Sequence, residues 1–76
     1  MGSKVAMSEK AAREYASQHG VSVSKTLVRG AYKRIEVGAS IVDYSKSDGG
    51  CACWQVDGIR AGYVGEAIQA AVDKQA

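Results

Sequence analysis

The stretch Val21-Ser22-Val23-Ser24-Lys25-Thr26-Leu27-Val28-Arg29-Gly30-Ala31-Tyr32-Lys33-Arg34-Ile35-Glu36-Val37 carries two periodicities at once. Taken as a helix from about Ser24, at ~100° per residue, it gathers Leu27, Val28, Ala31, Tyr32 and Ile35 on one side. Lys25, Arg29 and Lys33 then line another side at i, i+4, i+8. Taken as strand, Val21-Ser22-Val23-Ser24 alternates with a period of two, and Gly30 escapes the ~1 kcal/mol that glycine costs inside a helix relative to alanine. Each reading gives its own α+β topology. The first is helix, helix, β-hairpin, helix; the second is helix, three-stranded antiparallel meander, helix.

The flanking segments are less ambiguous. Upstream, Ser8 to His19 reads as a helix: Ser8 is suited to the N-cap, Glu9 and Glu14 favour the positive end of the dipole, and Gly20 suits the residue after the last turn. Its inward face is Ala12, Tyr15 and Ala16, extending to His19, with Val21 folding back near Ala16. Downstream, Ala39 to Val56 reads as a hairpin, because Ile41, Val42, Tyr44, Trp54 and Val56 flank a polar turn containing Asp48-Gly49. With Asp48-Gly49 at the turn centre, Ile41, Trp54 and Val56 share one face with Ala39 and Ala52. Val42, Tyr44, Cys51 and Cys53 share the other, which is then free to meet a protein partner or a second protomer. From about Gly62 to Lys74, Val64, Ala67, Ile68, Ala71 and Val72 recur at helical spacing, with Glu66 early and Lys74 late.

Composition bounds the rest. Residues 1–7 read as a disordered or tag-like N-terminus and 8–76 as a single domain. With 46% hydrophobic and 24% charged residues in 76, the chain is globular. Twelve Ala and nine Val against one Leu, one Trp and no Phe leave few side chains able to bury large areas, so dimerisation is an attractive source of further burial. No apolar run is long enough to span a membrane and no secretory leader is apparent, so a cytoplasmic location is expected. Cys51 and Cys53 are spaced too closely for an unstrained bridge, so reduced thiols are expected.

Enzyme chemistry finds little footing. His19 is the one histidine, and a nucleophile, base and orienting group require more partners than it has. Cys51, Cys53 and His19 offer three metal ligands at most, short of a four-coordinate zinc site. Gly58 to Gly65 lacks the Lys-Ser/Thr ending of a phosphate loop. The expectation is a non-enzymatic protein without cofactor or metal.

Charge distribution is the positive signal. The net charge is only +2, yet no acid lies between Glu14 and Glu36, while Lys25, Arg29, Lys33 and Arg34 all do. With Tyr32 among them, these residues suit phosphate contacts. In addition, Ala16-Ser17-Gln18-His19-Gly20-Val21-Ser22 resembles the turn of helix-turn-helix DNA-binding domains, where an Ala precedes a Gly-Val-Ser turn and a recognition helix follows. The resemblance covers residues 8–36. It implies that Ser24, Lys25 and Arg29 approach the major groove, with the hairpin around Lys46 as a wing on the phosphates, as in winged-helix, excisionase-like regulators. The function expected on this reading is that of a small DNA-binding regulator. A small protein-interaction module, an inhibitor or accessory factor contacting its partner through Val42, Tyr44, Cys51 and Cys53, is the alternative.

Overall fold

The computed structural model of the chain describes residues 8–46 and 52–75. Helix α1 (Glu9–Gln18) is followed by strands β1 (Leu27–Arg29), β2 (Tyr32–Val37), β3 (Ser40–Lys46), β4 (Ala52–Val56) and β5 (Ile59–Gly62), and then by helix α2 (Val64–Gln75). The class is α+β, as expected. The second helix expected over 24–37 is not formed; those residues build β1 and β2, and the meander has five strands rather than three. The strands lie in chain order, each antiparallel to its neighbours.

α1 begins and ends as its sequence dictates. Ser8 Oγ accepts the Ala11 N–H at 3.1 Å. At the other end Gly20 takes φ +71°, the Val21 N–H donates to Ala16 O at 2.8 Å and the Gly20 N–H to Ser17 O at 3.1 Å. This is the paired closure that a glycine after the C-cap permits.

Three of the four strand connections are two residues long: Gly30-Ala31, Gly38-Ala39 and Asp57-Gly58. Gly30 and Gly38 stand first in their turns with φ +60° and +57°, the glycine-first order of a type II′ hairpin. Asp57 and Gly58 both have positive φ, 50° and 87°, as a type I′ turn requires. Between Lys46 and Ala52, which are paired, stand five residues that lie outside those described, including Asp48, Gly49 and Cys51.

That odd number corrects the expected register. An Asp48-Gly49 centre would set Tyr44 opposite Cys53, whereas Tyr44 pairs with Trp54 and Val42 with Val56. A slip of one residue exchanges faces. Val42, Tyr44, Trp54 and Val56 therefore share one face, and Ile41, Asp43, Cys53 and Gln55 the other.

The edge beside β2 holds a second irregularity. Val23 bridges Val37 and the Ser24 N–H donates to Glu36 O, yet Leu27 pairs with Arg34. Lys25 and Thr26 therefore stand against Ile35 alone, a β-bulge. Ser24 makes it possible: its hydroxyl accepts the Glu36 N–H at 2.9 Å, while its carbonyl turns to accept from Arg13 Nη1 at 2.9 Å.

Both helices cover the same sheet face. Ile35, Val37, Val42 and Val56 meet Ala12 and Ala16 of α1 and Ala67, Ile68, Ala71 and Val72 of α2 in one buried cluster. The alanines allow α1 and α2 to lie side by side, and α2 lies along β2 to β5. Gln75 fastens its end: Oε1 accepts the Ala39 N–H at 2.9 Å and Nε2 donates to Val37 O at 2.7 Å. The row Ile35, Val42, Val56 is buried, whereas the next row along the strands, Lys33, Tyr44, Trp54, is only half-buried. Among the described residues no helix covers the opposite face.

Candidate nucleic-acid interface

β1 and β2 form a ribbon at the edge of the sheet, with β1 packed on β2 alone. The bulge at Lys25-Thr26 sets its faces. Leu27 opposite Arg34 and Arg29 opposite Tyr32 lie on the helix-free side; Val28 opposite Lys33 lies on the other. The cations expected on one helical stripe are thus distributed over both sides of the sheet edge: Arg29 and Arg34 on one, Lys33 on the other, Lys25 at the bulge. Lys46 closes β3 opposite Ala52.

Their electrostatic states differ. Arg34 Nη2 lies 3.5 Å from Glu36 Oε2, and Arg34 Nε is buried without a hydrogen-bond partner. Among the described residues Lys25, Arg29 and Lys33 enter no ion pair; the others join Arg13 to Glu9 and Lys74 to Asp57. Lys33 Nζ instead sits 5.6 Å from the centroid of the Tyr44 ring. That ring tilts against Trp54, 5.1 Å between centroids and 48° between planes. Lys33, Tyr44 and Trp54 are consecutive cross-strand partners. The odd spacing between β3 and β4, hidden by the Asp-Gly pair, kept the two aromatics on opposite faces in the sequence reading.

Two sets of expected contacts are redistributed. Ser24 was assigned to the major groove, but its hydroxyl serves the bulge and donates onward to Lys25 O at 3.1 Å. Of the expected protein-contact face, Val42 is fully buried beneath the helices. Tyr44 stands beside Trp54, Cys53 lies on the opposite side across from Ser45, and Cys51 is outside the described residues. The helix-free face carries a polar row the sequence reading did not assemble: Arg34, Asp43, Gln55 and Arg60, partners on four adjacent strands.

Elsewhere several titratable groups have structural partners, and His19, expected on the inward face of α1, is exposed. His19 Nδ1 lies 2.9 Å from Tyr15 O. The Tyr15 hydroxyl donates to Asp73 Oδ1 at 2.6 Å, which holds the phenol above its ordinary range, with slight desolvation and the carboxylate's charge adding to the effect. Asp57 is pushed down to about 2 by the Lys74 ammonium first, then by the Ile41 N–H and the Ser40 hydroxyl. Among the described residues no three of His, Cys, Asp or Glu converge as metal ligands, and no helix is long and apolar enough to cross a membrane. Comparison with protein-family models, curated proteins and solved structures found no match to this chain.

Proposed function

We propose that this chain is a non-enzymatic DNA-binding module whose contact element is the β1–β2 ribbon. One observation carries the reading. Lys25, Arg29, Lys33 and Arg34 gather at the β1–β2 edge of the sheet, with no acid between Glu14 and Glu36. Cations gathered at a sheet edge in this way are suited to neutralising phosphates. The partner class is the one expected from the charge pattern, and the contact moves from a recognition helix to a β-ribbon, another element used to engage nucleic acid.

A second reading draws on the same edge. Leu27 and Val28 are 49% and 58% exposed, and an open edge strand with apolar side chains suits a protein partner that adds a strand. Salt separates the two. Binding through phosphates weakens with a log–log slope of roughly 0.7 to 0.9 per neutralised phosphate, whereas apolar edge pairing does not. Titrating labelled DNA, as duplex and as single strand, against the protein and its Lys25→Ala/Arg29→Ala/Lys33→Ala variant at two salt concentrations tests the reading. The expected result is salt-dependent binding whose slope falls by roughly two in the variant. A folded triple variant with unchanged affinity and slope would refute it.

A further inference from the structure

We infer that the row Val28, Lys33, Tyr44, Trp54, Gly62 is a stacking platform that makes single-stranded DNA the preferred ligand; this rests on the DNA-binding reading above. These five residues are successive cross-strand partners, one from each strand, so the row runs about 19 Å across the sheet at ~4.8 Å per strand. It lies on the helix-side face but past the buried Ile35, Val42, Val56 row. Both its ends are open. Val28 is 58% exposed, Gly62 has no side chain to close the row, and the adjacent Tyr63 is 67% exposed.

Tyr44 is the informative residue. Although it shares a face with Val42, it is not among the side chains packed against the core, which Trp54 is. Among the described residues its ring meets Trp54 in a tilted aromatic pair and the Lys33 ammonium. A ring held by an aromatic neighbour and approached by the Lys33 ammonium suits an unpaired base: the base takes the place of the ammonium on the ring, and the ammonium moves to that nucleotide's phosphate. Aromatic stacking of this kind is indifferent to base identity, and it needs a base face that duplex DNA keeps inside its own stack. Charge gives the strand a direction across the row. Lys33 stands at the β1–β2 end and Glu66 stands near Gly62 at the other, so phosphates belong beside Lys33 and bases over Tyr44 and Trp54.

Trp54 is the one tryptophan in the chain, so its fluorescence reports on the row directly. The protein is titrated with a twelve-nucleotide oligo-dT, an abasic oligomer of equal phosphate number, and a twelve-base-pair duplex at fixed salt. Expected is quenching by oligo-dT and none by the abasic oligomer. Tyr44→Leu should weaken oligo-dT binding about tenfold and leave duplex binding unchanged. The abasic comparison uses the unaltered protein and so stands even where Tyr44→Leu fails to fold. Equal quenching by oligo-dT and the abasic oligomer, or unchanged oligo-dT affinity in folded Tyr44→Leu, overturns the platform and leaves the ribbon reading intact. Absence of binding to every oligomer removes both. Salt-insensitive self-association that shields Trp54 without DNA would assign the row to a second copy and overturn the proposal.

Discussion

Lys74 Nζ lies 2.6 Å from Asp57 Oδ2, joining the last turn of α2 to the β4–β5 turn. The same carboxylate accepts the Ile41 N–H through Oδ1 at 2.9 Å, so one side chain links a helix and two strand ends. Its folded value of about 2 lies below the ordinary 3.8. The ionised form is therefore favoured by folding: its contribution is complete above the ordinary value and disappears as pH falls through about 2. Asp57→Asn, which tolerates the positive φ of this turn, should flatten the loss of stability over that acid window. Urea denaturation of both proteins at several pH values below 5 checks it, and equal slopes would show that Asp57 does not carry the effect.

Gly38 and Gly30 form a matched pair of positive-φ turn residues with different surroundings. A methyl at Gly30 meets nothing within 4 Å, whereas one at Gly38 would strike the Gln75 carboxamide. Gly30→Ala should cost roughly 1–2 kcal/mol from backbone conformation alone. Gly38→Ala should cost about 1–2 kcal/mol more, because Gln75 then loses its bonds to Ala39 and Val37. In a Gln75→Ala background the two substitutions should converge, as measured by urea midpoints.

Burial separates the isoleucines. Ile35 is fully buried between sheet and helices, while Ile59 is 69% exposed on the β5 edge. Ile35→Ala should cost about 2–5 kcal/mol, a large part of the roughly 4–11 kcal/mol available to a domain of this length. Ile59→Ala should stay within about 0.5 kcal/mol. Thermal melts followed by circular dichroism distinguish them.

Glu36 restrains one of the ribbon's cations. Replacing it by Gln removes the pair with Arg34 and one negative charge beside β1, so DNA affinity should rise, by up to about fivefold for a surface pair worth ~1 kcal/mol. An unchanged affinity at low salt would exclude Arg34 from the contact.

The helices and their caps are legible in the sequence because their signals are local: Ser8, Gly20 and the 3.6-residue recurrence through α2 act within a few residues. The ribbon was obscured by the bulge at Lys25-Thr26. One extra residue inserted into a period of two moves the inward positions from Val21 and Val23 to Val28, and with the two-residue turn at Gly30-Ala31 the apolar spacing imitates a helix. Gly30-Ala31 and Gly38-Ala39, two glycine-first pairs eight residues apart, were the available sign of hairpins. Asp57-Gly58 was the available sign of β5, whose Ile59-Arg60-Ala61-Gly62 is too short to announce itself. The Lys33, Tyr44, Trp54 row depends on the β3–β4 register, and that depends on the parity of a connection whose Asp48-Gly49 suggested the wrong centre.

The packing of α2 also bears on how the protein is made. Ala67, Ile68, Ala71 and Val72, four of the ten buried hydrophobic residues described, belong to a helix synthesised after every strand it covers. Each hairpin is local in sequence, but the part of the apolar sheet face that α2 covers, along β2 to β5, stays open until α2 has been made and has docked. A chain truncated after Gly62 would present Ile35, Val42 and Val56 as one exposed strip, the kind of surface that chaperones bind.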